Sequence, residues 1–256
     1  MLTRSEIIKS ALSFGVDEET ASIAAGRILS REVLMLGFSG KLASGKDSVA
    51  LGVVSALKLE PVVHMSFAQP LKEEVNQAIS LVRDRSISEA REILCVKDSG
   101  IFDNFVTLLS LALQETPRAT SMTRTAGMRR VLQFWGTEVR RAEKDDYWVS
   151  KAVVSALNYA ANGKNLFYTD GRFPNEILGP QSVGFMVIRL EVSPEVQAER
   201  LASRDGLIPD PLSLVHSSET ALDGYLGFDL VTDNEGKFED TVELVSSWIL
   251  AQSLQK

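Results

Sequence analysis

The sequence predicts an α/β fold in three layers, a five-stranded and mainly parallel sheet between helices, preceded by an N-terminal helical extension. Three observations lead there. Five short apolar runs, at 33–38, 61–67, 165–169, 183–192 and 228–232, are separated by helical patterns, the order expected of a parallel sheet covered by its connecting helices. The first run, Val33-Leu34-Met35-Leu36-Gly37-Phe38, lacks the polar alternation of a half-exposed strand and so reads as buried on both faces. The chain, 256 residues with 45% hydrophobic side chains, is long enough for one substantial core.

Residues 1–31 read as two helices. Ile7, Ile8, Ala11 and Leu12 fall on one face, Gly15 breaks the pattern, and a second helical stretch starts at Asp17. This extension, residues 1–32, precedes a main domain at 33–256. The strand at 33–38 runs into a glycine-bearing loop and a helical pattern over 48–58. Farther on, Ser86-Ile87-Ser88-Glu89 has the form of a capping box, Ser193-Pro194 that of an N-cap with proline in the first turn, and Gly163 that of a helix stop. A helical run at 105–113 leads into the polar stretch TPRATSMTRT, which reads as a mobile loop. There is no internal repeat and no low-complexity tract.

Composition narrows the function classes. No apolar run approaches the roughly 18 residues of a membrane span, and MLTRSEIIKS lacks the apolar centre of a signal peptide, so a soluble, cytoplasmic protein is expected. The single cysteine, Cys95, has no partner for an internal disulfide, and two separated histidines, His64 and His216, do not make a zinc cage. Both histidines read as structural or surface residues. A net charge of −7 argues against binding to polymeric nucleic acid, which relies on clustered Lys and Arg. A local pocket of a few convergent cations remains compatible with that balance and suits a small phosphorylated ligand.

Such a pocket has a candidate floor. Gly40-Lys41-Leu42-Ala43-Ser44-Gly45-Lys46-Asp47-Ser48 lies between the first strand and a helix, the context that gives G-x-x-x-x-G-K its meaning. There the glycines let successive backbone N–H groups point into one concavity, and the helix N-terminus adds about half a positive charge. Phosphate is the natural guest, with Lys46 reaching the β- and γ-phosphates. Asp47 stands where the motif usually has Ser or Thr, and the hydroxyl comes one place later at Ser48. A carboxylate there suits magnesium, directly or through water, and Ser48 suits the α-phosphate; the plainer alternative is that Asp47 complements the charge of the first helical turn.

Asp170 ends the apolar run 165–169, at the carboxyl edge of a buried strand where ligands of open α/β sheets bind. It is a candidate for magnesium or substrate contact. Arg172 is a candidate phosphate partner through its bidentate geometry, the alternative being a structural Asp170–Arg172 pair. Trp148 offers a face for stacking on a base, whereas Trp135, amid apolar neighbours, reads as core.

Several segments then fall into one order: Ser66-Phe67-Ala68-Gln69-Pro70-Leu71-Lys72, Arg129-Arg130-Val131-Leu132-Gln133-Phe134-Trp135-Gly136-Thr137-Glu138, Asp146-Tyr147-Trp148, Asp170-Gly171-Arg172-Phe173-Pro174-Asn175-Glu176, Ser218-Glu219 and Phe228-Asp229-Leu230-Val231-Thr232-Asp233-Asn234-Glu235-Gly236. Together with the Gly-Lys-Asp-Ser loop, they resemble the bacteriophage deoxynucleoside monophosphate kinases over roughly residues 33–250. The resemblance implies a P-loop kinase fold, an acceptor-binding insertion at about 70–150 and a lid at about 200–215. It also implies Mg2+ as cofactor, ATP as phosphoryl donor, nucleotides as the small-molecule partners, and a host-cell cytoplasmic place in nucleotide biosynthesis for a phage-encoded chain. No membrane partner is implied, and the N-terminal helices are a candidate support for a homodimer.

Residue by residue, the resemblance assigns Lys72, Arg130 and Gln133 to the acceptor nucleotide, with Trp148, Asp170 and Arg172 beside it. ATP falls to Gly40, Lys41, Ser44, Gly45, Lys46, Asp47 and Ser48, to Arg200 and Arg204 of the lid, and to Asn234 and Gly236 near the adenine. Metal contacts fall to Asp47, Ser48 and Asp170, and the catalytic set is Lys46, Asp170, Arg172 and Arg200. Arg200 and Arg204 share one helix face, where pairing with Glu195 or Glu199 is the alternative. Phosphomevalonate kinases of the animal type share a similar loop, a Pro-Leu-Lys segment, an Asp-x-Arg and an Asn-x-Gly. The run Gln-x-x-Gly-Thr-Glu at 133–138 and Arg-Phe-Pro-Asn-Glu at 172–176 look more like the nucleotide kinases. A non-catalytic nucleotide switch is the third alternative.

Overall fold

Strand β1 (Met35–Ser39) is buried at all five positions, as its unbroken apolar sequence requires. It pairs in parallel with β3 (Asn165–Tyr168) on one side and with β4 (Met186–Glu191) on the other. Outside these lie β2 (Val62–Met65) and β5 (Leu230–Asp233), giving the order β2-β3-β1-β4-β5 with every pairing parallel. The computed structural model describes residues 2–84, 86–96, 98–205 and 220–254. Among these, no helix is long and apolar enough to cross a membrane.

By its contacts the chain divides into two compact units, Met1–Ser66 with Ala152–Lys256, and Phe67–Lys151. The first holds the sheet. Its core on one face joins Leu36, Phe38 and Ile188 to Val49 and Val53 of α3 (Lys46–Ala56) and to Val245 and Ile249 of the C-terminal helix Phe238–Leu254. Fully burying side chains of this size stabilises by about 1.5–3 kcal/mol each before entropy is charged. The register sets Gly37 opposite Tyr168, and any Cβ at Gly37 would lie 2.5 Å from that tyrosine's ring, so only glycine fits the centre of the sheet.

Helices α1 (Arg4–Ser13) and α2 (Glu18–Leu29) pack against each other within this unit. Thr3 and Asp17 cap them, and Gly15 at φ 92 makes the turn between. Ile7 and Ala11 are buried as their spacing predicts, but Leu12 is 45% exposed, because α2 and α9 (Pro174–Ser182) leave that side of α1 open. Gly163 at φ 72 ends helix α8 (Tyr147–Ala161), and Ser193 caps α10 (Pro194–Asp205) through Val196 N–H.

The second unit is helical. It comprises α4 (Ala68–Arg83), α5 (Ile87–Ile93), α6 (Ser99–Glu115), α7 (Ala126–Gln133), a π-helical segment Phe134–Arg141 that continues α7, and the start of α8. The predicted capping box at Ser86 is corrected here. Its side chain makes no cap bond, its ψ of 53 is not extended, and its N–H closes the end of α4 on Leu81 O at 2.8 Å. The polar stretch after α6 is tied down rather than loose: Arg83 donates to Pro117 O and Ala119 O, and Asn76 Oδ1 accepts from Ser121 N–H.

Inside this unit Glu74 is buried and accepts from Tyr147 OH at 2.6 Å, Trp135 Nε1 at 2.8 Å and Arg140 Nε at 2.9 Å. Arg140 also donates to Leu94 O at 2.5 Å, so one ion pair joins α4, α5, the π-helical segment and α8. Burial alone would raise the Glu74 carboxyl, but the donors from Tyr147, Arg140 and Trp135 together hold it below its ordinary value. Such a group stabilises the fold above its unfolded pKa, and the contribution is lost as pH falls through the lowered folded value. We therefore expect Arg140→Met, which leaves Lys151 Nζ at 3.2 Å as the cation beside the carboxylate, to cost about 1.5–3 kcal/mol at pH 7, the range for a hydrogen bond to a charged group. Urea unfolding followed by fluorescence should show the deficit, and the gap from the parent protein should narrow on acidification as Glu74 takes up a proton.

Candidate functional site

The loop between β1 and α3 bends through two left-handed residues, Ala43 at φ 61 and Gly45 at φ 83. Gly45 caps α3 without a side-chain bond, and the helix starts at Lys46, so the first-turn N–H groups open onto the loop. That is two residues earlier than the predicted helix at 48–58. Neighbouring elements hold the loop in place. Asn234, buried at the end of β5, donates to Ser44 O at 2.8 Å, Arg200 of α10 donates to Asn234 O at 2.6 Å, and Gln197 donates to Leu42 O at 2.8 Å. Glu235 accepts from Ser193 N–H at 2.5 Å, the bond that chiefly lowers its carboxyl pKa.

Gly40 and Gly171 open a small pocket whose walls carry Lys41, Lys46, Arg172 and Arg189, with Thr169 and Leu222 beside them. Lys41 pairs with Asp223 at 3.0 Å. Lys46 is mostly buried and lies 3.6 Å from the exposed carboxylate of Asp47. Arg189 is only 6% exposed, although it stands in a central strand; its Nη1 donates to Ser39 Oγ at 3.1 Å across the register of β1 and β4. Ser44 Oγ is buried with no hydrogen-bond partner among the described residues.

Two carboxylates sit at the same end of the sheet. Asp47 accepts from Thr169 Oγ1 at 2.5 Å, and Asp170 from Ser66 Oγ at 2.5 Å. Arg172 follows in a turn held by buried Glu176, which accepts from the N–H groups of Arg172 and Phe173 at 2.8 and 3.3 Å. The structure thus brings Gly40, Lys41, Lys46 and Arg172 into one pocket, joins Asp47 to that pocket's Thr169, leaves Asp170 on Ser66 beside it, and holds Ser44 and Gly45 in the loop that Arg200 and Asn234 support. Ser48 and Gly236 are exposed. Arg204 falls on α10 with its side chain outside the described residues, as are 206–219, which take in His216, Ser218-Glu219 and most of the expected lid.

Lys72, Arg130, Gln133 and Trp148 belong to the other compact unit. Lys72 is partly exposed on α4, and Arg130 and Gln133 are exposed three residues apart on α7, as is Arg129. Trp148 is 4% exposed and donates its indole N–H to Gly136 O at 3.0 Å, so it is held in that unit's core along with Trp135. Sequence reasoning missed Arg189, Thr169, Ser66, Gln197 and Asp223. The one visible signal was a lone arginine inside the apolar run 183–192.

A comparison with models of known protein families finds no match, and neither does a comparison with curated proteins. Among solved structures, TT1252 from Thermus thermophilus is similar at 16% identity over 88% of this chain and 99% of that one, with a TM-score of 0.41. A likeness of that degree carries no argument about function. The geometry itself predicts anion binding: inorganic tripolyphosphate should bind, and Lys46→Ala should weaken it by roughly tenfold or more, since a charge-assisted contact contributes about 1.5–3 kcal/mol. Isothermal titration at two salt concentrations would check both the loss and its ionic origin.

Proposed function

We propose that this chain transfers the terminal phosphate of ATP to a deoxynucleoside monophosphate, giving ADP and a deoxynucleoside diphosphate. The observation that carries the reading is the pocket itself, in which Lys46, Arg172 and Arg189 converge on a glycine loop beside two oriented carboxylates. A site that only held a nucleotide would need the loop and Lys46, but not the further guanidiniums. Transfer between phosphates requires that two polyanions be held together and their charge neutralised, which is what converging cations supply. The acceptor's second pKa is near 6, so its attacking oxygen is already mostly ionised at neutral pH and no general base is needed.

Within this reading Lys46 opposes the charge that redistributes over the β- and γ-phosphates, and Arg172 grips the transferring or accepting phosphoryl group in bidentate fashion. Arg200 and Asn234 keep the loop closed around the triphosphate. The donor set fits magnesium, which favours hard oxygens and typically takes one or two carboxylates beside the substrate's phosphate oxygens. Asp47 and Asp170 would hold it, with Ser48 nearby. Held there, magnesium would supply Lewis-acid neutralisation of the phosphates' charge. The resemblance assigns Lys72, Arg130 and Gln133 to the acceptor nucleotide, Gln133 offering both a donor and an acceptor to a base edge.

An ADP-release assay across the deoxynucleoside monophosphates, AMP and phosphomevalonate tests the reading directly. Turnover with at least one deoxynucleotide is expected, and turnover with phosphomevalonate alone would overturn it. Arg172→Ala should lower kcat/KM by about 10²–10³-fold, the loss typical of a preorganised electrostatic contact. Full activity in that variant would remove Arg172 from the mechanism.

A further inference from the structure

We infer that Thr169 is a positioning residue, which fixes the Asp47 carboxylate so that its other oxygen is presented to the metal–phosphate complex. The inference rests on the nucleotide-kinase reading of the loop and deepens it. Asp47 replaces the hydroxyl residue usual after the loop lysine, and the structure shows where a hydroxyl returns. Thr169 follows β3 and is buried, and its Oγ1 donates to Asp47 Oδ1 at 2.5 Å across 122 residues of sequence. The other oxygen, Oδ2, is left on the side of Lys46, 3.6 Å from its Nζ.

Asp47's side chain is 67% exposed, in the first turn of a helix, a setting in which a carboxylate ordinarily samples several rotamers. A residue that merely complemented the helix N-terminus would need no fixed orientation, because that effect depends on charge and position alone. A buried hydroxyl held against one oxygen is instead the arrangement by which outer partners orient metal-binding carboxylates. The adjacent strand end repeats it: Ser66 Oγ donates to Asp170 Oδ2 at the same 2.5 Å. Thr169 also lines the pocket of Lys46 and Arg172, so the tether lies where the phosphates would be.

The test measures Mn2+ affinity by electron paramagnetic resonance in the presence of a non-hydrolysable ATP analogue, together with binding of that analogue without metal. Thr169→Val, which keeps the shape and loses the hydroxyl, should weaken Mn2+ by about 10–100-fold and by more than it weakens metal-free analogue binding. Thr169→Ser should restore most of the loss. Asp47→Asn should weaken Mn2+ as well, and adding Thr169→Val to it should cost nothing more, since the two act as one unit. If Thr169→Val does not fold, Thr169→Ala carries the same expectation. Unchanged Mn2+ affinity in the hydroxyl-free variants, or independent multiplying losses in the double variant, would overturn the inference. Failure of the parent chain to bind the analogue at all would instead strike the nucleotide reading.

Discussion

A backbone that must turn left-handed twice within three residues governs the organisation of the sheet's carboxyl edge. At Ala43 and Gly45 the chain takes positive φ, and only then can α3 begin at Lys46 with its first N–H groups facing the loop. At Gly45 a side chain would be strained by the backbone and would also collide with the Asn234 amide. Ala43 has no such exemption, and a non-glycine residue in this region costs of order 1–3 kcal/mol, so the surroundings must hold it. Asn234, Gln197 and Arg200 do that holding, each bonded to or through the loop's carbonyl side. The Leu42 and Ser44 carbonyls are therefore engaged by side chains of the neighbouring elements.

The same edge gathers cations within a chain that is acidic overall. Net charge acts at long range and is screened within about 8–10 Å in physiological salt, whereas a pocket acts over single contacts. Burying Arg189 in the middle of a parallel sheet is unfavourable unless its guanidinium is bonded and paired. Ser39 supplies a bond, Phe228 lies under the cation at 5.5 Å, and Glu191 Oε1 stands 3.9 Å from its Nε. The helical unit handles its own buried charge in the opposite way: Glu74 and Arg140 are matched within that core, where their effect is to fasten helices together.

The three inner strands were legible because burial on both faces leaves a plain mark in sequence. All five strands match their predicted runs to within three residues at either end, and the glycine loop was found from its strand-to-helix context. The π-helical segment was not legible, since eight residues are too few for its wider period to separate from an ordinary helix. Arg189 and Thr169 were passed over for a different reason. Each reads as a strand residue, and its meaning comes only from a partner brought near by the fold, Ser39 at a separation of 150 and Asp47 at 122. Trp148 erred the other way: its sequence context suggested a stacking face, whereas the indole N–H is committed to Gly136.

The strand order also dictates how this chain can be born. β1 touches β3 and β4, and β2 touches β3, so no two strands can pair until Tyr168 has been synthesised. At ribosomal speeds of about 5–20 residues per second, the hundred or so residues after β2 hold the apolar β1 segment without a neighbour for roughly 5–20 seconds. During that interval the helices between Phe67 and Lys151 emerge, and their contacts are comparatively local and fast to form. The nascent protein should thus acquire its helical unit before its sheet, and β1 is the segment most in need of shelter meanwhile.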